Sequence, residues 1–304
     1  MNHKPREIAE NVLVLRTLVV NVYVVRTASS WVLVDAGLPG YAEAIRSAAA
    51  AFVGSTAPPT AIVLTHGHFD HVGSLEALLV EWPVPVFAHR LEVPYLTGQS
   101  AYPPPDPLAG RGALSLLSRL YPRGPIDISA QLRALPDNGR VPGMDDWRWV
   151  PTPGHSPGHV SFFRDRDRTL LAGDAVTTTR QESIVAVVTQ RREVHGPPPY
   201  FTIDWPAAAD AVGHLAALQP DLLASGHGDP LRGTAMRASL RALASRFDER
   251  EVPSFGRYVR QPAITDGRGI VSLPPDPWPR VAAGAAVAAG LACTFAFQRR
   301  RKTT

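Results

Sequence analysis

The chain is expected to fold as an α/β (α+β) protein whose reactive groups collect where strands end, and three observations predict this. Short apolar runs such as Ala61-Ile62-Val63-Leu64 are rich in β-branched residues and read as buried strands. Stretches with apolar residues at helical spacing follow them, as at Val72, Leu75, Leu78, Leu79 and Trp82. Four strand-like runs also lead into histidine or aspartate, where an α/β sheet exposes chemistry.

In order, Asn11 to Thr17, Leu18 to Thr27 and Ser30 to Asp35 read as three strands with tight connections. Tyr41 to Val53 is an Ala-rich helix, Ala61 to Thr65 a strand, Val72 to Trp82 a helix and Val84 to His89 a strand. From Pro94 to Gly143 the pattern breaks. Pro103-Pro104-Pro105-Asp106-Pro107 and Pro122 to Pro125 interrupt regular structure around a short amphipathic helix, Ala113 to Tyr121. An insertion of this length is expected to form a lid or pocket wall, with Leu114, Leu116, Leu117, Leu120 and Tyr121 packing over the site. Strands resume at Trp147 to Pro151, His159 to Arg164 and Thr169 to Gly173. After the Pro197-Pro198-Pro199 stretch come a helix (Trp205 to Leu218), a strand (Asp221 to Ser225) and a closing helix (Thr234 to Glu251). One domain over 1–250 is therefore expected.

The segment 251–280 is proline-rich and reads as an extended linker. Residues 281–297 are seventeen apolar or small residues, followed by Gln298-Arg299-Arg300-Arg301-Lys302. As a helix they would span about 25 Å against a hydrocarbon core of roughly 30 Å. A membrane anchor through 281–302, a surface-lying helix and a helix docked on the body all stay open. The positive-inside rule would keep the arginines in the cytoplasm, whereas a spanning tail on a cytoplasmic body would put them outside.

At 45% hydrophobic and 19% charged residues, the composition is that of a globular protein. The single cysteine, Cys293, excludes an internal disulfide framework and a thiolate ligand in the body. The net charge of +4 is accounted for by residues 299–302 alone, leaving 27 basic and 27 acidic residues elsewhere. That balance disfavours nucleic acid as a partner and leaves a small molecule as the expected substrate. Met1 to Glu10 is polar, and Val12 to Val25 is interrupted by Arg16, Thr17 and Asn21, so no signal peptide is evident and a cytoplasmic body is expected. Oligomeric state is not legible.

The chemistry centres on Thr65-His66-Gly67-His68-Phe69-Asp70-His71, a strand-to-helix turn. Three imidazoles and a carboxylate within six residues would cost several kcal/mol to bury unpaired. One or two divalent metals would satisfy them together. Later strand-like runs lead to His155, Asp174 and His227.

With these residues in view, the chain resembles the metallo-β-lactamase superfamily in its dinuclear hydrolase branch, glyoxalase-II- and lactonase-like. His66-x-His68-x-Asp70-His71, then His155, Asp174 and His227, resemble its ligand set, and Asp35-Ala36-Gly37 its early Asp-x-Gly turn; the likeness covers roughly residues 8 to 235. The resemblance implies an αββα sandwich of two mixed sheets flanked by helices, with the metals at one edge between the sheets. It implies that His66, His68 and His155 hold one metal, Asp70, His71 and His227 a second, and that Asp174 bridges them. Two zinc ions suit nitrogen and oxygen ligands without sulfur, with manganese or iron as alternatives. Such a pair shares a hydroxide that can attack an ester, thioester or lactone carbonyl, while Asp70 orients it or relays its proton. Asp35 is expected to accept a hydrogen bond from a ligand imidazole.

Departures from known branches narrow the substrate only in part. Zinc β-lactamases generally lack an aspartate in the Asp174 role, and several use a cysteine ligand. Quorum-signal lactonases place a tyrosine shortly after the bridging aspartate, where this chain has Ala175-Val176-Thr177-Thr178. No glutathione-binding pattern of glyoxalase II and no RNA-binding arm of tRNA-processing nucleases is evident. The alternatives are a phosphodiesterase, an iron-dependent persulfide dioxygenase-like oxidoreductase and, last, a non-enzymatic scaffold. Thr177, His195 and Tyr200 are the candidate substrate-pocket residues. His3 and His214 are expected to be solvated or structural, and His89 and His159 structurally satisfied, with a role supporting the ligands or capping an element as the alternative for each.

Overall fold

The computed structural model describes residues 4–110 and 112–279. Its first sheet runs in the order β1 (Arg6–Ala9), β2 (Val12–Thr17), β3 (Val20–Arg26), β4 (Trp31–Val34), β5 (Ala61–Val63), β6 (Val86–Ala88) and β7 (Leu132–Ala134). The first four strands are antiparallel, and β4 to β7 pair in parallel. The second sheet has β8 (Arg140–Val141), β9 (Met144–Pro151), β10 (Val160–Arg164), β11 (Thr169–Leu171), β12 (Leu222–Ala224) and β13 (Leu231–Arg232), again mixed, with β11 and β12 parallel. The helices are α1 (Ala42–Val53), α2 (Phe69–Val72), α3 (Leu75–Glu81), α4 (Val93–Leu96), α5 (Ala113–Leu117), α6 (Ile184–Thr189), α7 (Trp205–Ala217), α8 (Gly233–Ser245) and α9 (Phe247–Arg250).

The layering follows from the two-residue period of the strands. In β4, Leu33 joins a core with Ile45, Leu75 and Leu78, whereas Val32 and Val34 face the other way. In β10 to β12, Phe163, Leu170 and Leu223 pack on α7 and α8 through Val212, Leu215, Leu240 and Leu243. Phe162, Leu171 and Ala224 instead meet Val32, Val34 and Val63 between the sheets. The result is the expected αββα sandwich of two mixed sheets. The loops after parallel strands β5 and β12 and after β9 and β11 carry the histidine and aspartate clusters to one edge.

Several sequence expectations need correction. The helix over Val72 to Trp82 is two helices, parted at Gly73-Ser74. A methyl at Gly73 would strike Pro39, its N–H donates to the Gly37 carbonyl at 2.8 Å, and Ser74 Oγ donates to the Leu38 carbonyl at 2.6 Å. The turn after Asp35 thus takes the backbone groups a continuous helix would need. The segment 94–143 is not wholly an insertion, since β7 extends the first sheet by pairing Leu132 with Val86. Nor is 251–280 an extended linker over its described part. It forms a hairpin of β14 (Ile264–Asp266) and β15 (Gly269–Ser272), buries Tyr258 and Ala263 in the second helical core, and donates Tyr258 Oη to the Pro104 carbonyl at 2.7 Å. Proline fixes backbone angles without preventing burial, and Tyr258 and Ala263 provide the buried contact. β1 and α6 are elements the sequence reading did not separate.

Among the described residues no helix is long and apolar enough to cross a membrane, and the tail 281–304 lies outside them. Ile62 is fully buried in a central strand of the first sheet. Ile62→Ala is expected to destabilise the fold by about 2–5 kcal/mol, read as a lowered urea midpoint with an unchanged slope.

Candidate metal centre

Asp35 caps the first sheet at a backbone angle, φ 61°, that few residues other than glycine adopt. Its carboxylate accepts from the Thr65 N–H and the Thr65 hydroxyl, each at 2.8 Å, and faces His71 Nδ1 at 2.8 Å. One side chain thereby joins the end of β4 to the end of β5 and orients an imidazole.

The seven residues converge as three overlapping groups. His66, His68 and His155 bring one nitrogen atom each within 4.8 Å of one another; His66, His71 and Asp174, and likewise Asp70, His71 and His227, do the same with imidazole nitrogens and a carboxylate oxygen. His68 Nδ1 and His155 Nε2 stand 2.9 Å apart. Asp174 lies between the clusters, with its oxygens 3.1 Å from His227 Nε2, 3.4 Å from His71 Nε2 and 3.5 Å from His155 Nε2. Asp70 Oδ2 is 3.3 Å from His227 Nε2.

The tautomers follow from the outer contacts. His71 gives its Nδ1–H to Asp35, and His227 gives its own to the Val19 carbonyl at 3.0 Å, so Nε2 is the nitrogen each turns inward, available to a cation once its proton is displaced. His66 Nε2, His71 Nε2, His155 Nδ1 and Asp174 Oδ1 are buried with no hydrogen-bond partner. Orphaned groups of this kind are rare in folded proteins, and a cation is the partner that accepts the inward lone pairs of His66 and His71 and the Asp174 carboxylate together. The donor set fits one or two divalent metals.

Burial, reinforced by the neighbouring imidazoles, holds His66 and His155 well below the ordinary histidine range, and burial brings His68 down to about 4. Neutral imidazole is the form a metal requires. Burial works against charge at His227 and His71 too, but Asp174 and the carboxylates beside it raise His227 to about 10 and His71 well above its usual value. Burial likewise opposes ionisation of Asp174, yet His227 and His71 hold its carboxyl well below the carboxylate range.

A second ring of residues sets these loops, and apart from His159 the sequence did not point to it. Glu92 is fully buried and accepts from the Gly67 N–H, the Ser156 hydroxyl, the Gly158 N–H and the Tyr102 hydroxyl, tying the His66–His71 turn to the His155 loop. Its only sequence signal is a carboxylate within the apolar run Leu91 to Leu96. Asn21 Nδ2 donates to the Ser225 and Gly228 carbonyls at 2.9 and 2.7 Å, and Tyr23 Oη to Ser225 at 2.7 Å, which fixes the His227 loop. His159 accepts the Asp174 N–H at 2.9 Å while its Nδ1 meets Thr152 Oγ1 at 2.8 Å, so it positions the backbone of Asp174. Gly226 is needed here because a β-carbon would fall on Asp174 Oδ1 and the His71 ring.

The candidate pocket residues part company. Tyr200 belongs to an aromatic wall with Phe69, Tyr121 and Phe201, and the Phe201 ring stacks on His68 at 4.7 Å. Thr177 and His195 pair through their backbones and line a different cavity of about 550 Å³, whose walls include none of the seven. His195 lies 3.1 Å from Glu193 and 3.5 Å from Glu251. Of the residues expected to close over the site, Tyr121 reaches the wall, whereas Leu116, Leu117 and Leu120 point to solvent. The short helix buries Ser115 and Ser118 in their place.

A family model described as the metallo-beta-lactamase superfamily matches residues 15–227. The chain belongs to the metallo-β-lactamase superfamily. It is 47% identical over 244 residues to a probable metallo-hydrolase of Bacillus subtilis, YflN, covering 79% of this chain and 92% of that one. A second Bacillus subtilis protein, the probable metallo-hydrolase YybB, is 30% identical over 70% of this chain and 82% of its own. Among solved structures, the subclass B3 metallo-beta-lactamase BJP-1 of Bradyrhizobium japonicum superposes with a TM-score of 0.56 at 21% identity, over 82% of this chain and 93% of that one. That likeness speaks for the fold. Superfamily members bind divalent metals with a His/Asp cluster of this kind.

Two outcomes follow from the geometry. Asp35→Ala is expected to weaken metal affinity by about 10–100-fold, measured by chelator competition, because His71 loses the partner that sets its tautomer. Burial lowers the His195 pKa, but Glu251 and Glu193 raise it overall, against a smaller opposing effect of Arg180. The stability it contributes is therefore fully present below its unfolded value and is lost as pH rises through the folded one. The melting-temperature gap between wild type and His195→Gln should be widest in acid and narrow as pH rises.

Proposed function

We propose that the chain is a binuclear metallo-hydrolase acting on a small ester, thioester or lactone with apolar character. His66, His68 and His155 would hold one metal, Asp70, His71 and His227 the other, with Asp174 between them and zinc the metal the donor set suits best. The observation that carries this reading is the convergence of all seven side chains around buried, unpartnered nitrogen and oxygen atoms. The relatives named probable metallo-hydrolases support the reaction class.

Bound metals would supply Lewis acidity, turning water into a nucleophile near neutral pH and polarising the scissile carbonyl. The chain's own residues supply the rest. Burial opposes charge on Asp70, but His227 and His71 hold its carboxyl below the ordinary value, so it stands ionised, suited to hold a metal and to orient the attacking water by accepting its hydrogen bond. Phe69, Tyr121, Tyr200 and Phe201 offer an apolar acyl or alkyl group a dry wall beside His68. No cysteine stands among the seven, and Asp174 occupies the central position, which favours carbonyl substrates other than β-lactams.

The test is hydrolysis by the full-length protein of lactone, thioester, aryl ester, phosphodiester and β-lactam substrates, with and without chelator and after zinc, manganese or iron is restored. One carbonyl class, lost on chelation and restored by zinc, is the expected result. Preference for the phosphodiester, or oxidation of a persulfide restored only by iron, would replace the reading. His68→Ala and Asp174→Ala should each reduce turnover to background while circular dichroism shows the fold retained; full activity in either would refute the assignment.

A further inference from the structure

The segment around α5 is inverted with respect to water, and α6 beside it is apolar on both its inner and outer faces. In the segment from Ala113 to Leu120, Ser115 and Ser118 are buried while Leu116, Leu117 and Leu120 are exposed, Leu120 at 79%. In α6, Ala186 and Val187 face inward while Ile184, Val185 and Val188 are exposed, Val185 at 72%. The two elements start side by side, since a methyl at Gly112 would fall on the Glu182 carbonyl. Six large exposed apolar side chains therefore crown α6 and the neighbouring α5 with the turn that follows it, and clustered exposure of that kind marks an interaction surface.

What covers it is indicated by where the chain goes. Asp276 pairs with Arg119 at 3.2 Å, and the Arg119 guanidinium lies 5.6 Å from the centre of the Trp278 ring. The described chain ends one residue later, so it reaches residue 279 beside Arg119, which lies between Leu116 and Leu120 in sequence. Its sequence then continues with the apolar stretch 281–297 and four consecutive cations at 299–302. Arginines lie at the crown as well, with Arg119 inside it and the exposed Arg191 and Arg192 shortly after α6, each beside one carboxylate (Asp276, Glu193 and Asp229).

We propose that this crown docks on an anionic phospholipid bilayer, acting with the apolar stretch and basic cluster that follow residue 280. Apolar side chains entering the headgroup boundary beside a ring of arginines is the chemistry of interfacial binding, and two weak signals on one molecule together make a firm attachment. Tyr121, on the wall beside Phe69 and Phe201, directly follows Leu120. Docking would set that wall at the bilayer boundary, where an apolar substrate partitions.

The experiment uses the full-length protein with Cys293→Ser and Leu120→Cys, labelled at position 120 with an environment-sensitive fluorophore. It is floated with phosphatidylcholine vesicles with and without phosphatidylglycerol. Flotation with the anionic vesicles, weakening as salt rises, with a blue shift of the label on binding, is expected. Without the label, Leu116→Glu, Leu120→Glu and Val185→Glu combined should cut the bound fraction roughly tenfold. No flotation overturns the proposal. So does flotation with an unchanged label and undiminished binding by the triple variant, because the tail alone would then be the anchor. A label already blue-shifted without vesicles overturns it as well, since a protein segment or second copy would cover the crown. None of these readouts depends on hydrolysis.

Discussion

Asp174 is a buried carboxylate ringed by His71, His155 and His227, and the arrangement at this edge of the sandwich depends on keeping that charge partnered. A lone carboxylate so placed would cost many kcal/mol or take up a proton. Here the backbone is built around it. Gly226 gives it room, His159 receives its N–H, and the parallel pairing of β11 with β12 brings its loop beside that of His227. The charge pattern that makes the site suited to cations is thus the same pattern that orders the loops.

Two anchors make those loops rigid from opposite sides. Asp35 ties the ends of β4 and β5 to His71, and Glu92 ties the first histidine turn to the loop of His155. Both carboxylates are buried and accept several hydrogen bonds, so each is satisfied without a cation of its own. The inward nitrogen atoms of His66 and His71 and the Asp174 oxygen lack such satisfaction, and this contrast separates scaffold from site. Asn21 and Tyr23 perform the same service for the His227 loop from the first sheet, so the centre is assembled across the interface between sheets.

The periphery follows different rules. Tyr258 and Ala263 fasten the segment after α9 to the second helical core, which brings the chain's exit to the apolar crown on α5 and α6. The first of these, with the turn after it, buries Ser115 and Ser118 and exposes leucine, while α6 buries Ala186 and Val187 and exposes Ile184, Val185 and Val188. Amphipathicity read from the sequence assigns the leucines inward, because it assumes the larger apolar set faces the protein. At five residues, α5 is too short for its own pattern to decide the matter.

By itself the sequence determined the strands with two-sided apolar burial, the strand-end positions of His66, His68, Asp70, His71, His155, Asp174 and His227, and Asp35 as the partner of a ligand-type imidazole. These are legible because ionisable groups clustered at the ends of apolar runs have few physical alternatives. Only the tertiary structure decided that Glu92, Asn21 and His159 hold the loops, that Thr177 and His195 line a cavity separate from Tyr200, and that 251–280 is packed. Those outcomes turn on contacts between residues far apart in the chain, among them Glu92 with Gly158 and Asn21 with Gly228. No local spacing encodes such contacts; the side chains find their roles only once both sheets are face to face.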